Sequence, residues 1–207
     1  MKKDKPEILV VVSDLASPYK INEIPFQFKE LLEASQTIDY LVCLGNVGNK
    51  ENYEFLKGLS KNFYCIKGDY EENHDSYNIE LTEFKSIRIG GFKISFIHGH
   101  QIVPWGDLNS LSIKQKIFDC DVLLHGFTGK SSFFTYEGSH YINPGSFTGA
   151  YSPINPNSSP SFMVLLIDNE LGTVYKYELG KKVEISKFEF KKLPKETLQE
   201  ENIDEDE

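Results

Sequence analysis

The sequence predicts an α/β sandwich folded as a single domain. Two observations carry this. The first half alternates continuous apolar runs with amphipathic stretches, and the second half changes to a hairpin, a helix and a series of short strands. A chain of 207 residues fits one domain, and 15 Phe and 11 Tyr supply ample material for a core.

Ile8–Ser13 is a continuous apolar run, as expected of a central strand buried on both faces. A loop over Asp14–Asn22 leads to an amphipathic helix near Pro25–Ala34, with Phe28, Leu31 and Leu32 expected inward. Tyr40–Leu44 reads as a second buried strand, and the next helix, near Glu51–Leu59, spaces Tyr53, Leu56 and Leu59 on one face. Phe63–Ile66 completes a β-α-β-α-β run, which predicts a parallel sheet.

Glu83–Ile89 and Phe92–Ile97 flank Gly90-Gly91 and read as a hairpin. A helix over Leu108–Phe118 leads to a strand at Asp121–His125, then to short strands at Ser132–Tyr136 and Ser139–Asn143. Strands around Phe162–Ile167, Val174–Leu179 and Val183–Phe190 are expected to complete a mostly antiparallel half.

Net charge is −9, but from Pro194 to Glu207 seven acidic residues stand against one lysine, so this tail carries −6 of it. Three regions are expected: an extension over 1–6, the domain over 7–192, and an acidic, disordered tail over 193–207. No basic cluster offers the phosphate neutralisation that nucleic-acid binding needs, nor a surface for anionic membranes. No stretch approaches roughly 18 uncharged apolar residues, and Met1 to Pro6 is charged rather than leader-like, so a cytosolic protein is expected. Cys43, Cys65 and Cys120 lie in or beside apolar runs, and an odd count suits no disulfide framework; they read as small core residues.

The residues that close the strands form an ordered series: Ser13-Asp14-Leu15-Ala16, Gly45-Asn46, Gly68-Asp69, His98-Gly99-His100 and His125-Gly126-Phe127-Thr128-Gly129. Over roughly residues 7–190 this series resembles the calcineurin-like metallophosphoesterases. In that family Asp-x-His, Gly-Asp, Gly-Asn, a histidine before Gly, and Gly-His-Thr-His hold two bridged cations that activate water. The resemblance implies that Asp14 and His98 are retained ligands. It also implies that Ala16, Phe127 and Gly129 replace histidines, that Asn46 replaces the bridging aspartate, and that Asp69 stands where the family has asparagine. The expected consequence is a degenerate site without a bridged metal pair, no cofactor, and no catalysis. Taken alone, Asp14 and Asp69 serve equally well to cap helices or bind loop amides, and His98 to bond Asp69. His74, His100, His125 and His140 have no ligand spacing to one another and read as structural or exposed.

The text of Phe96–Asp107, Tyr141–Tyr151 and Lys67–Asn73 is most similar to one branch of that family, the small non-catalytic subunit of the endosomal retromer coat. This resemblance implies a scaffold in endosomal protein sorting, cytoplasmic and peripheral on endosomal membranes. Ile102, Val103 and Trp105 would contact the coat's large α-helical solenoid subunit, although Trp105 alone also fits a core position. Ile8, Leu31, Val164, Tyr175, Tyr177 and Ile185 would recruit regulators of Rab GTPases; by their alternation alone they equally pack a sheet against helices. The competing expectation is a residual phosphodiesterase using Mn²⁺ or Zn²⁺.

Overall fold

The computed structural model describes residues 5–16, 20, 23–35, 37–73, 81–152 and 154–194. The sequence expectations for 1–4, for His74 and for 195–207 lie outside these residues.

In chain order the elements are β1 (Glu7–Val12), α1 (Phe26–Glu33), β2 (Tyr40–Cys43), α2 (Lys50–Leu59), β3 (Asn62–Cys65), α3 (Asp69–Asn73), β4 (Phe84–Ile89) and β5 (Phe92–Ile97). There follow α4 (Leu108–Phe118), β6 (Val122–His125), β7 (Ser132–Tyr136), β8 (Ser139–Asn143), β9 (Ser161–Asp168), β10 (Leu171–Leu179) and β11 (Val183–Lys191). They form a six-stranded sheet, β11-β10-β9-β1-β2-β3, and a five-stranded sheet, β4-β5-β6-β8-β7.

Strand alternation explains the layers. Leu9 and Val11 of β1 face the second sheet and join Met163, Leu165, Ile94, Phe96 and Leu124 in the core between the sheets. Val10 and Val12 point the other way, under α1 and α2, with Phe28, Leu32, Leu56 and Phe162. A third cluster seats α4 on the outer face of the second sheet through Leu111, Leu123 and Tyr141. Phe28 anchors α1, its ring 4.8 Å edge-on from Phe162 and 5.5 Å from Phe147. Full burial of such a ring contributes about 2–3 kcal/mol. The helices begin on capping side chains: Asn49 accepts from Asn52 N at 2.8 Å and Asp107 from Ser110 N at 2.9 Å.

Three expectations are corrected. The last three strands do not complete a separate antiparallel half: β9 runs antiparallel to β1, pairing Glu7 with Ile167, so β9, β10 and β11 extend the first sheet. The second sheet is mixed, because β5, β6 and β8 are parallel to one another and only the edge strands β4 and β7 are antiparallel. Leu31 is not inward. It is 41% exposed, because the short stripe that α1 lays on the sheet is centred on Phe28 and Leu32, and Leu31 falls at its margin.

Candidate functional site

The loops that follow the carboxyl ends of β1, β2, β3, β5 and β6 converge on one edge and bring Asp14, Asn46, Asp69, His98 and Phe127 together. The backbone there is unusual: Asp14, Ala16, Asn46 and Phe127 all have positive φ, between 48° and 67°. Residues held in this region normally owe their conformation to a functional or packing demand. Gly126 and Gly68 allow the close approach, since a Cβ on Gly126 would overlap Ser13 Oγ and one on Gly68 would overlap Asn46 Oδ1.

Asn46 occupies the centre. Its Nδ2 donates to Asp14 Oδ1 and to Asp69 Oδ1, each at 2.9 Å. The Tyr70 N–H donates to Asn46 Oδ1 at 3.1 Å, which fixes which end of the amide is oxygen. The amide therefore presents two N–H groups where the family resemblance implies a bridging carboxylate. Those two hydrogens offset the neighbouring carboxylates, and the one neutral amide oxygen already accepts from Tyr70, so the anionic oxygen pair of a bridging carboxylate is lacking. The donor set does not fit a bridged pair.

His98 is fully buried, its Nε2 3.5 Å from Asp14 Oδ1 and 3.4 Å from Asp69 Oδ1. The two carboxylates flank the same imidazole nitrogen. Asp14 also accepts from Ser13 Oγ at 2.8 Å and from the Phe127 N–H at 2.9 Å. Burial nonetheless outweighs these bonds and pushes its carboxyl up to about 6. The Phe127 ring packs edge-on against His98 at 5.6 Å and Trp105 at 5.0 Å, so an apolar wall stands where the family resemblance implies an imidazole. The cavity beside Asp14, Asn46, Asp69 and Phe127 is only about 70 Å³.

A different group of ligand atoms remains. Asp69, His98 and His100 present one ligand atom each, all within 4.8 Å of one another. That set fits a single cation, with two imidazoles and a carboxylate as donors. His100, expected from the sequence to be structural or exposed, is half-buried and meets His98 edge-on, with ring centroids 5.2 Å apart.

Glu71, outside the strand-closing motifs, also belongs to the site. It is 7% exposed, and its carboxylate accepts the backbone N–H of Asn46 at 2.8 Å, of Val47 at 2.7 Å and of Gly68 at 2.9 Å. Its signal was an acidic residue three positions after Gly68, where a short helix starts.

The loop after β5 forms the rim. Val103 is 71% exposed and Trp105 44%, whereas Ile102 is 3% exposed within the cluster under α4. Ile102 is thus corrected from a surface contact to the anchor beneath the loop. The Trp105 indole donates to the His100 carbonyl at 3.2 Å, and Ser110 Oγ donates to the Val103 carbonyl at 3.2 Å.

The six residues grouped for regulators lie on the other side of the first sheet. Cross-strand register places Val164 opposite Tyr175, and Tyr177 opposite Ile185, on the face that also carries Ile8. Leu31 and Ile185 are exposed, and Ile8, Val164, Tyr175 and Tyr177 half-buried, with Tyr177 stacked on Phe162 at 4.6 Å.

The calcineurin-like phosphoesterase superfamily domain matches residues 8–170. Vacuolar protein sorting 29 (Vps29) from Cryptosporidium parvum superposes with a TM-score of 0.85 at 36% identity, covering 91% of this chain and all of the other. The chain belongs to the Vps29 family. Vps29 from Schizosaccharomyces pombe is 28% identical over 190 residues, 89% of this chain and 98% of that one. Wild-type Vps29 of Entamoeba histolytica, solved in complex with Zn²⁺, has a TM-score of 0.81 at 36% identity, covering 88% of this chain and 98% of its own. Family membership thus accompanies a metallophosphoesterase fold with, among the described residues, one set of potential metal donors.

Proposed function

We propose that this Vps29-family chain is a non-catalytic scaffold subunit of an endosomal retromer coat. It docks the coat's large α-helical solenoid subunit through the Val103 loop and Rab GTPase regulators through the face carrying Tyr175. The carrying observation is Val103: a large aliphatic side chain 71% exposed, on a loop fixed from beneath by buried Ile102. Exposed apolar groups on a rigid support are the usual centres of interfaces. The neighbouring cavity of about 70 Å³ is far smaller than the several hundred that ligand sites enclose, which favours a docking edge over a substrate site. Calorimetry of Val103→Asp against the purified solenoid subunit is the test: binding is expected to vanish, and undiminished affinity would move the interface elsewhere.

A second reading, a residual Mn²⁺- or Zn²⁺-dependent phosphodiesterase, is favoured only by the Asp69, His98 and His100 donor set. Hydrolysis of bis-p-nitrophenyl phosphate with millimolar Mn²⁺, lost in Asp69→Ala, would establish it. Background rates in both proteins are expected.

A further inference from the structure

Cys43 ends β2 and Cys65 ends β3, and the parallel register sets the two residues directly opposite each other. Strand alternation turns both side chains to one face, where they join Tyr53, Leu56 and Phe63 under α2. The Cys65 thiol is a hydrogen-bond partner of the Cys43 thiol and also lies 3.7 Å from the Ile66 carbonyl. Both cysteines are free. Cys43 is fully buried, whereas Cys65 is half-buried on the edge strand of the six-stranded sheet. Cys120 is apart from them, packed with α4 on the outer face of the other sheet.

We propose that Cys43 and Cys65 form a dithiol modification site whose reactant is a small hydroperoxide and whose product is a reversible disulfide joining β2 to β3. With hydrogen peroxide the steps divide by exposure. The Cys65 sulfur, the reachable one, attacks a peroxide oxygen; the O–O bond breaks, the thiol proton leaves with hydroxide as water, and a sulfenic acid remains. The Cys43 sulfur then attacks that sulfur; the S–S bond forms, the S–O bond breaks, and a second water carries off the Cys43 proton. Two thiols thus lose two electrons and two protons, and one peroxide is reduced to two waters. Geometry and product both favour closure. Neighbouring strands hold opposed Cα atoms about 4.8 Å apart, within the span that a disulfide bridges. β3 pairs with β2 alone in its sheet, so it can shift toward β2 without breaking a second ladder. The disulfide carries no charge, which suits the apolar cluster under α2 better than a lasting thiolate or sulfinate. The bond to Cys43, then burial, hold the Cys65 thiol well above the usual thiol range, so the pair stays reduced at rest and oxidises slowly. Asn46 and Asp69 follow these cysteines closely in the chain. The link would therefore brace covalently the two strand ends that the Glu71 carboxylate ties by hydrogen bonds.

The test treats the full chain with excess hydrogen peroxide, removes the excess with catalase, and reads intact mass, linked peptides and melting temperature. Wild type and Cys120→Ser should each lose the mass of two hydrogens and yield a peptide linked between Cys43 and Cys65. Dithiothreitol should restore the starting mass. Because the link closes a loop of roughly twenty residues, the oxidised form should melt about 5–10 °C higher. Cys65→Ser changes the half-buried position, the one of the pair where folding is least disturbed, and should show neither the link nor the rise. Conversion of wild-type Cys65 to a sulfinic acid, with Cys43 still open to iodoacetamide in denaturant, would overturn the site. So would a link through Cys120 that survives in Cys65→Ser. A linked form melting at or below the reduced one would overturn the brace between the strand ends.

Discussion

The Glu71 carboxylate holds the backbone N–H of Asn46 at 2.8 Å, and through it the amide that joins Asp14 to Asp69. One buried anion thereby ties the end of β2 to the end of β3, since it also accepts from Gly68 at 2.9 Å. Glu71→Gln keeps the shape but turns an N–H group toward a backbone N–H. With charge-assisted bonds weakened and one donor left facing another, stability should fall by about 3 kcal/mol, or roughly 6–12 °C in melting temperature. A shift below a degree in thermal melting would mean the clamp contributes nothing.

Asn46→Asp places a third carboxylate between Asp14 and Asp69. Without a cation the like charges repel, and in EDTA the variant should lose about 2–4 kcal/mol. Millimolar Mn²⁺ should restore most of that loss and shift the wild type much less. Equal melting temperatures for variant and wild type in EDTA would refute this account of the amide.

Two buried groups act on stability with opposite pH dependence. Asp14 is pushed up to about 6 by burial, so the stability tied to its neutral form is complete below 3.8 and lost as pH rises through about 6. His125 is pushed down to about 4, also by burial, so its contribution is complete above 6.5 and lost as pH falls through about 4. Each amounts to about 3 kcal/mol at most. Between pH 4 and 6.5, in EDTA, Asp14→Asn should melt higher as pH rises and His125→Phe lower, with the wild type flatter than either. His140, also lowered by burial, adds to the rising trend in all three. Parallel profiles for the three proteins would discredit the opposition.

Val103→Asp should spare the fold, because the side chain it changes is solvent-facing; melting should move by only a few degrees. Binding to the solenoid subunit should weaken at least a hundredfold, since an apolar contact is lost and a carboxylate is desolvated without a partner, together about 3–5 kcal/mol. Tyr175→Ala, on the opposite face, should leave that binding unchanged and weaken only regulator binding. Equal loss from both variants would point to a general disturbance of the fold rather than two surfaces.

Most elements were legible because their residues follow one period at a time. The continuous run of β1 declares burial on both faces, and Leu108–Phe118 is found as a helix at the bounds expected of it. Pairing was harder. Nothing local in Ser161–Asp168 records that β9 lies beside β1 rather than beside β8, because register is fixed by partners far away in sequence. At the site, the strand-closing motifs located Asp14, Asn46, Asp69 and His98, whose spacing follows from the sheet. Glu71 and His100 escaped because their roles come from loop curvature, which brings Glu71 to three backbone amides and His100 to His98. The burial of Ile102 escaped for the same reason: within an irregular loop, alternation does not tell which side faces α4.

The pairing of Glu7 with Ile167 also has a consequence during synthesis. β1 leaves the ribosome first and gains β2 soon afterward, but its other edge stays open until β9 has been made. For most of translation a strand of Val and Leu offers unpaired amides and carbonyls, a template for any other extended chain. Chains stalled or truncated before Ser161 should therefore engage chaperones or aggregate, and solubility should return abruptly once β9 is included.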